Sequence, residues 1–273
     1  MQPWQDWLLT MKLSADEKAA GQLAQESLSL AAEKLRDEGF VVLERVLPEA
    51  IVNSLRTATC IALGAKYEDC ADELKRAGNH GGVHLPLQMP FIDPLVIENP
   101  MIFQVLKSAL GERFFGCLPY GCNSAYPGSN KQNVHRDCGH IFPEVQTPLP
   151  PLMIAANIAL DDFTIENGAT EIWPATHRQV DRSPNEIATL RIPPEQYSDR
   201  KSVQIAMSAG SIVLRDMRTW HRAMPNSTDR LRTMLAIVYY RQYFMPDNLS
   251  NPISAEELDL FSERSKWIYR LRH

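Results

Sequence analysis

Apolar residues recur at helical spacing in the first part of the chain and at strand spacing in most of the rest. Ser14 with Glu17 makes a capping-box pattern in SADEKAAGQLAQESLSLAAEKLRDEG, and the Ala/Leu-rich run behind it stops near Gly39. That pattern predicts one helix of several turns. FVVLERVL, residues 40–47, then reads as a strand. Pro48 suits a first helical position in PEAIVNSLRTATCIALGAK, and Asn99 followed by Pro100 opens NPMIFQVLKSALGE in the same way. Residues 1–112 are therefore expected to be mainly helical, apart from that strand and a loop around 67–98.

From about residue 113 the texture changes to short apolar or alternating runs separated by turn residues: FFGCLPYGCN, LMIAANIALDDF, TEIWPA, SVQIAMSAGSIVLRDM and RTMLAIVYYRQYF. ENGAT and SAGS supply glycine turns, and MPNSTD, residues 224–229, is a proline/asparagine turn between strands. Ser254 and Glu257 form a second capping box at the start of a last helix, SAEELDLFSERSKWIYRLR. Helices followed by many short strands predict an α+β chain whose strands form a two-sheet jelly roll or barrel. The expected organisation is a single domain, residues 1–273, with a helical part at 1–112, a jelly-roll core at 113–245 and a C-terminal helix at 246–273.

Composition narrows the partners. A net charge of −5 gives no electrostatic footprint for nucleic acid or an anionic membrane, and no basic block stands out. A small-molecule substrate is the better expectation. The cysteines Cys60, Cys70, Cys117, Cys122 and Cys138 are odd in number and contain no CxxC pair, which fits a reducing cytoplasm. No export signal or membrane-length apolar run is visible, and the oligomeric state cannot be read from the sequence.

The densest chemistry lies in VHRDCGH, residues 134–140. On a strand, His135 and Asp137 at i and i+2 project from one face while Arg136 points away. With a second histidine from a distant strand they would form the 2-His-1-carboxylate set that holds non-haem Fe(II) and leaves coordination positions open. Among the remaining histidines His221 is favoured, because it follows a glycine turn and the apolar strand of AGSIVLRDMRTW. A dicarboxylate cosubstrate would need a fixed cation at the far end of the pocket, and arginine's fork supplies one. Arg232 suits that role, with Arg230 as the fallback, since the turn at Pro225 and Asn226 resets the strand parity after His221.

With these residues in view, the chain resembles the phytanoyl-CoA dioxygenase family of Fe(II)/2-oxoglutarate-dependent oxygenases. VHRD, ALDDFTIENGATEIWPATHR and GSIVLRDMRTWHRAMPNSTDRLR match the family's blocks, in its order, over roughly residues 120–245. An isolated His-x-Asp is most often an ordinary polar strand end, whereas three blocks in order are specific. The resemblance implies a double-stranded β-helix, the cupin-like jelly roll, with His135, Asp137 and His221 as iron ligands. It implies Arg232 as partner of the distal carboxylate of 2-oxoglutarate. Thr170 and Gln132 match positions that often hydrogen-bond the cosubstrate, with Asn133 as the alternative to Gln132. The implied reaction consumes O2 and 2-oxoglutarate, releases succinate and CO2, and oxidises a C–H bond of a specialised metabolite or lipid-like acid, with hydroxylation the expected outcome and desaturation, epoxidation or ring rearrangement the alternatives that substrate geometry decides. Related halogenases carry a small apolar residue in place of the aspartate, so Asp137 argues for oxygenation.

Other residues admit plainer readings. NHGGVHLPLQ, residues 79–88, places His80 and His84 four apart, but the intervening glycines make it a loop, read as pocket lining or lid. His140 is near enough in sequence to touch substrate and equally suits an exposed loop. His177 reads as a loop residue supporting the fold, Trp173 and Trp220 as packing, and Cys138 as a bystander whose thiol matters only if exposed. The competing functions are a non-oxidative jelly-roll metalloenzyme of isomerase type and a non-catalytic binding module on the same scaffold. The loops 67–98, 139–150 and 178–200, where specificity would reside, carry no recognisable code.

Overall fold

A computed structural model of the chain describes residues 10–67, 83–118, 120–142, 144–180, 190–246 and 248–273. His80 and Cys70 lie outside these residues. In chain order the strands are β1 (Thr10–Lys12), β2 (Phe40–Glu44), β3 (Val83–His84), β4 (Phe114–Gly116), β5 (Gly121–Ala125), β6 (Met153–Ala159) and β7 (Glu171–Ile172). They continue with β8 (Val203–Gln204), β9 (Ile212–Asp216), β10 (His221–Arg222), β11 (Arg232–Arg241), β12 (Asn251–Pro252) and β13 (Leu271–Arg272). The helices are α1 (Ala15–Ala20), α2 (Gln25–Glu38), α3 (Glu49–Tyr67), α4 (Pro94–Ile97), α5 (Pro100–Leu110), α6 (Pro194–Tyr197), α7 (Ala255–Leu258) and α8 (Glu263–Tyr269).

Both capping boxes form, at Ser14/Glu17 and Ser254/Glu257, and Asn99 caps α5 with Pro100 in its first turn. The helices behind the boxes are shorter than their sequence patterns predict. Gly21 adopts a left-handed conformation, φ +61°, that closes α1, and the freed Leu23 N–H is taken by the Gln104 side chain at 2.8 Å. The expected first helix is therefore two. The C-terminal helix is likewise split, because Ser262 starts a second helix with its own side-chain cap. The strand expected over 40–47 ends at Glu44, where Arg45 turns to φ +50°.

The large sheet runs β1-β2-β9-β6-β11-β5-β3, with β4 pairing the far end of β11. All of its pairings are antiparallel except β1 with β2. A smaller sheet, β10-β7-β8, is antiparallel, and β12 and β13 form a parallel pair. The N-terminal part thus contributes sheet as well as helix.

Alternation along the strands divides the apolar residues in two. Val41, Leu43, Ile154, Ile158, Leu214, Leu235 and Ile237 join the main core with residues from α2, α3 and α5. From the opposite face Phe40, Val42, Ala159, Val213 and Met234 pack with Ile172 of the small sheet and with Ile205 and Met207. The candidate site opens on this second face. Among the described residues, no helix is long and apolar enough to cross a membrane.

Candidate metal centre and its cavity

His135 and His221 are 86 residues apart in sequence, yet each donates its backbone N–H to the other's carbonyl, at 3.0 and 2.8 Å. Such a mutually bonded antiparallel pair sends both side chains to one face, and the ring centroids lie 4.3 Å apart. His135 sits in an isolated bridge rather than a full strand, but the two-residue alternation still holds and brings Asp137 to the same side. Asp137 Oδ1 lies 3.9 Å from His135 Nε2, and Oδ2 lies 3.8 Å from His221 Nε2. The three residues offer ligand atoms within 4.8 Å of one another, a set that can hold a metal ion.

The backbone prepares both imidazoles. His135 Nδ1 is 3.0 Å from Asn133 O and His221 Nδ1 is 3.1 Å from Thr219 O. A carbonyl only accepts, so each Nδ1 carries the proton and each Nε2 turns a lone pair into the site. Burial, reinforced by the Arg215 guanidinium, pushes His221 down to about 3 and keeps it neutral. Burial alone would raise the Asp137 carboxyl, but Arg215 holds it below the usual carboxylate range, so it is ionised. The neutral His221 imidazole beside an ionised Asp137 carboxylate is the protonation pattern that a divalent cation requires.

The cavity around the triad has a volume of about 230 Å³. Its polar wall includes Asn123, Gln132, Asn157 and Thr170, and its apolar wall includes Ile205, Met207, Val213 and Met234. Thr170 and Gln132 are thus both at the wall, and Gln132 Oε1 accepts the Ala223 N–H at 2.9 Å. Asn133 is exposed, and it is its carbonyl, not its side chain, that serves His135.

Arg232 is 1% exposed and shares the cavity face of β11 with Met234, two residues on. Its Nη2 donates to Gly168 O at 2.9 Å, and its guanidinium lies 4.4 Å from the centre of the Phe163 ring. Its Nη1 has no hydrogen-bond partner among the described residues. Burial lowers its pKa to about 10, against the pull of Asp161, so it stays a cation. A buried guanidinium with an unfilled donor suits the distal carboxylate of a dicarboxylate. Arg230 is exposed and out of contention.

Other expectations meet different fates. His84 is exposed on β3, outside the cavity wall, although its pairing with Gly121 puts it on the sheet face that carries Asn123. His140 is neither exposed nor at the cavity: it is buried, with Nδ1 3.4 Å from Arg218 Nη1. His177 supports the fold through Nε2, 2.9 Å from Arg36 O, and Trp173 and Trp220 pack with Val134 and Ile192. Burial raises the Cys138 thiol to about 12, which removes the nucleophilic thiolate.

Sequence reasoning missed Arg215 and Asn157. Both carried a signal. Asn157 is a lone polar residue inside the apolar run LMIAANIAL, and Arg215 stands with Asp216 at the end of the apolar run SIVL, where only a buried partner or a cavity can accommodate it.

The comparisons with known proteins agree with this geometry. An iron/alpha-ketoglutarate-dependent dioxygenase of Aspergillus calidoustus is 28% identical over 150 residues, covering 52% of this chain and 47% of the other. The carbocyclase SnoK of nogalamycin biosynthesis, a non-haem alpha-ketoglutarate-dependent enzyme, superposes with TM-score 0.59 at 23% identity, over 81% of this chain and 85% of its own. SnoN, an epimerase of the same cofactor type and biosynthesis, gives TM-score 0.59 at 19% identity, over 85% and 94%. The phytanoyl-CoA dioxygenase (PhyH) family model matches residues 35–234. By that match the chain belongs to the phytanoyl-CoA dioxygenase family, and it is an enzyme of the Fe(II)/2-oxoglutarate-dependent dioxygenase type.

Proposed function

We propose that this enzyme hydroxylates a C–H bond of a small organic substrate, a specialised metabolite or lipid-like acid, with release of succinate and CO2. The reading rests on one observation: two imidazoles and an ionised Asp converge in a cavity, and a buried guanidinium with an unfilled donor stands two residues along β11 from Met234 of its wall. Nε2 of His135 and His221 with Oδ1 of Asp137 would hold Fe(II), because Oδ2 is already occupied by Arg215 at 2.6 Å. When bound, Fe(II) and 2-oxoglutarate activate O2 for attack on an unactivated C–H bond.

The chain's own residues do the rest. Arg232 grips the distal carboxylate of 2-oxoglutarate, and Thr170 and Gln132 line the path between it and the metal ligands. Met207, Val213 and Met234 form the apolar wall that keeps water from the cavity. The two facing sheets are read as a double-stranded β-helix, within a single domain. A non-oxidative metalloenzyme would have no use for the Arg232 donor. Ring closure or stereoinversion by the same oxidant is a second reading, favoured by the carbocyclase and epimerase among the structural neighbours.

The test is anaerobic titration of the metal-free protein with Fe(II) and then 2-oxoglutarate, followed by the visible charge-transfer band of the chelate. A band that needs both ligands, and is lost in His221→Ala, is the expected outcome. Folded protein that binds Fe(II) and gives no band with 2-oxoglutarate overturns the proposal.

A further inference from the structure

Arg215 is the second buried guanidinium of the cavity, and the metal centre alone does not explain it. It stands on β9 with only 7% of its side chain exposed, and it lines the cavity wall. Nη2 donates to Asp137 Oδ2 at 2.6 Å, whereas Nη1 is buried with no hydrogen-bond partner among the described residues. Its neighbours across the sheet are Phe40 on one side and Ala155 on the other, and neither side chain can accept a hydrogen bond. The cavity is the direction from which a partner can come.

Register separates this cation from Arg232. Ala155 pairs with both Arg215 and Val238, and Val238 is six residues along β11 from Arg232. At roughly 3.3 Å per residue the two arginines are anchored about 20 Å apart along the sheet. Arg215 therefore lines the cavity itself, beside the metal ligands, whereas Arg232 stands two residues along β11 from Met234 of the wall.

The chemistry of the open donor points the same way. Nη2 is spent on Asp137, and the buried, unfilled Nη1 next to the reacting end needs an acceptor. A carboxylate is the acceptor that best matches a guanidinium fork.

We propose that Arg215 docks a carboxylate of the substrate, so that the molecule oxidised is an organic acid held with its acid group beside the metal ligands. The inference rests on the Fe(II)/2-oxoglutarate reading above and adds the substrate's charge to it. Arg215 is then the residue that determines specificity, through a fork that bridges Asp137 and the incoming acid. Val213, two residues along β9, is an apolar part of the same cavity wall, where the carbon carrying the reacting bond can lie.

The experiment uses the anaerobic Fe(II)–2-oxoglutarate complex of wild type and of Arg215→Gln, with saturating cosubstrate. Gln keeps a donor for Asp137 but loses the charge and the second N–H. The probes are hexanoate and phenylacetate, each compared with its primary amide, and the readouts are displacement of the charge-transfer band and heat of binding. In wild type the acids should bind at least ~tenfold more tightly than the amides, and in Arg215→Gln that preference should vanish. Acids and amides that bind alike in wild type, or a preference that survives in Arg215→Gln, overturn the proposal. So does the failure of either acid to bind. If Arg215→Gln instead weakens 2-oxoglutarate and pyruvate to the same degree, the residue belongs to the cosubstrate's proximal carboxylate and the substrate assignment is wrong. Failure of the wild-type band itself to form would count against the proposed function, whereas a normal band without acid preference counts only against the role of Arg215.

Discussion

Replacing Arg232 by methionine should separate cosubstrate recognition from folding. The guanidinium makes one good hydrogen bond, to Gly168 O at 2.9 Å, and a marginal one from Nε to Asn167 O at 3.5 Å, while Nη1 has no described partner. A dicarboxylate arriving at Nη1 and the shared Nη2 would gain two charge-assisted bonds at about 1.5 kcal/mol each. Losing about 3 kcal/mol raises the Kd for 2-oxoglutarate roughly a hundredfold. Pyruvate has the same 2-oxo acid but no distal carboxylate, so its Kd should be equal in wild type and variant. Without ligand, methionine removes a buried cation of similar length, and thermal stability should hold or rise. The assay is calorimetric titration of both 2-oxo acids into the anaerobic Fe(II) form, with a parallel thermal melt. Equal losses for 2-oxoglutarate and pyruvate, or an unchanged Kd for 2-oxoglutarate, would refute the assignment.

Gly168→Ala should cost at least ~2 kcal/mol in denaturant unfolding, because φ is +82° and a Cβ would lie 2.4 Å from Met224 O, beside the carbonyl that holds Arg232. Glu17 is held at about 2 by hydrogen bonds from Ser27 and from the Ser14 and Ala24 N–H groups, against an unfolded value near 4.5. It therefore stabilises the fold fully above about pH 4.5, and that contribution disappears as pH falls toward 2. Glu17→Gln should flatten that part of the acid-unfolding profile, and an unchanged profile would show that the carboxylate is not the titrating group. Cys138, raised to about 12 by burial, should resist iodoacetamide at pH 8 while exposed Cys60 reacts, as read by peptide mass spectrometry. Modification of Cys138 at the faster rate would contradict the raised pKa of its half-buried thiol.

The parts of the fold that the sequence made legible are those decided locally. Ser14, Asn99 and Ser254 announce helix starts because a cap needs only its own side chain and the next turn. His135, Asp137 and His221 were legible because motif order and two-residue alternation survive the absence of a long strand. What was hidden depends on distant partners. Gly21 ends a helix rather than being tolerated within it because Gln104, in another helix, takes the next free N–H. His140 is drawn inward toward Arg218, 78 residues away, although nothing around it in sequence distinguishes it from a loop residue. Arg215 required knowing that both its sheet neighbours are apolar, which is a fact of register.

The place of β11 in the sheet has a consequence for how this enzyme is made. It pairs with β6 along one edge and with β5 and β4 along the other, so the earlier strands share no common neighbour without it. Because β11 spans Arg232–Arg241 and β6 ends at Ala159, a ribosome must add more than 70 residues after β6 before those strands can be joined. His221 emerges only shortly before. Between Asp137 and His221 the nascent chain carries two of the three donors, so the set can close on a metal only after residue 221 has emerged. Until β11 arrives, the edge of β6 that it will cover leaves its backbone N–H and C=O groups to water, an open strand edge that the finished sheet no longer presents.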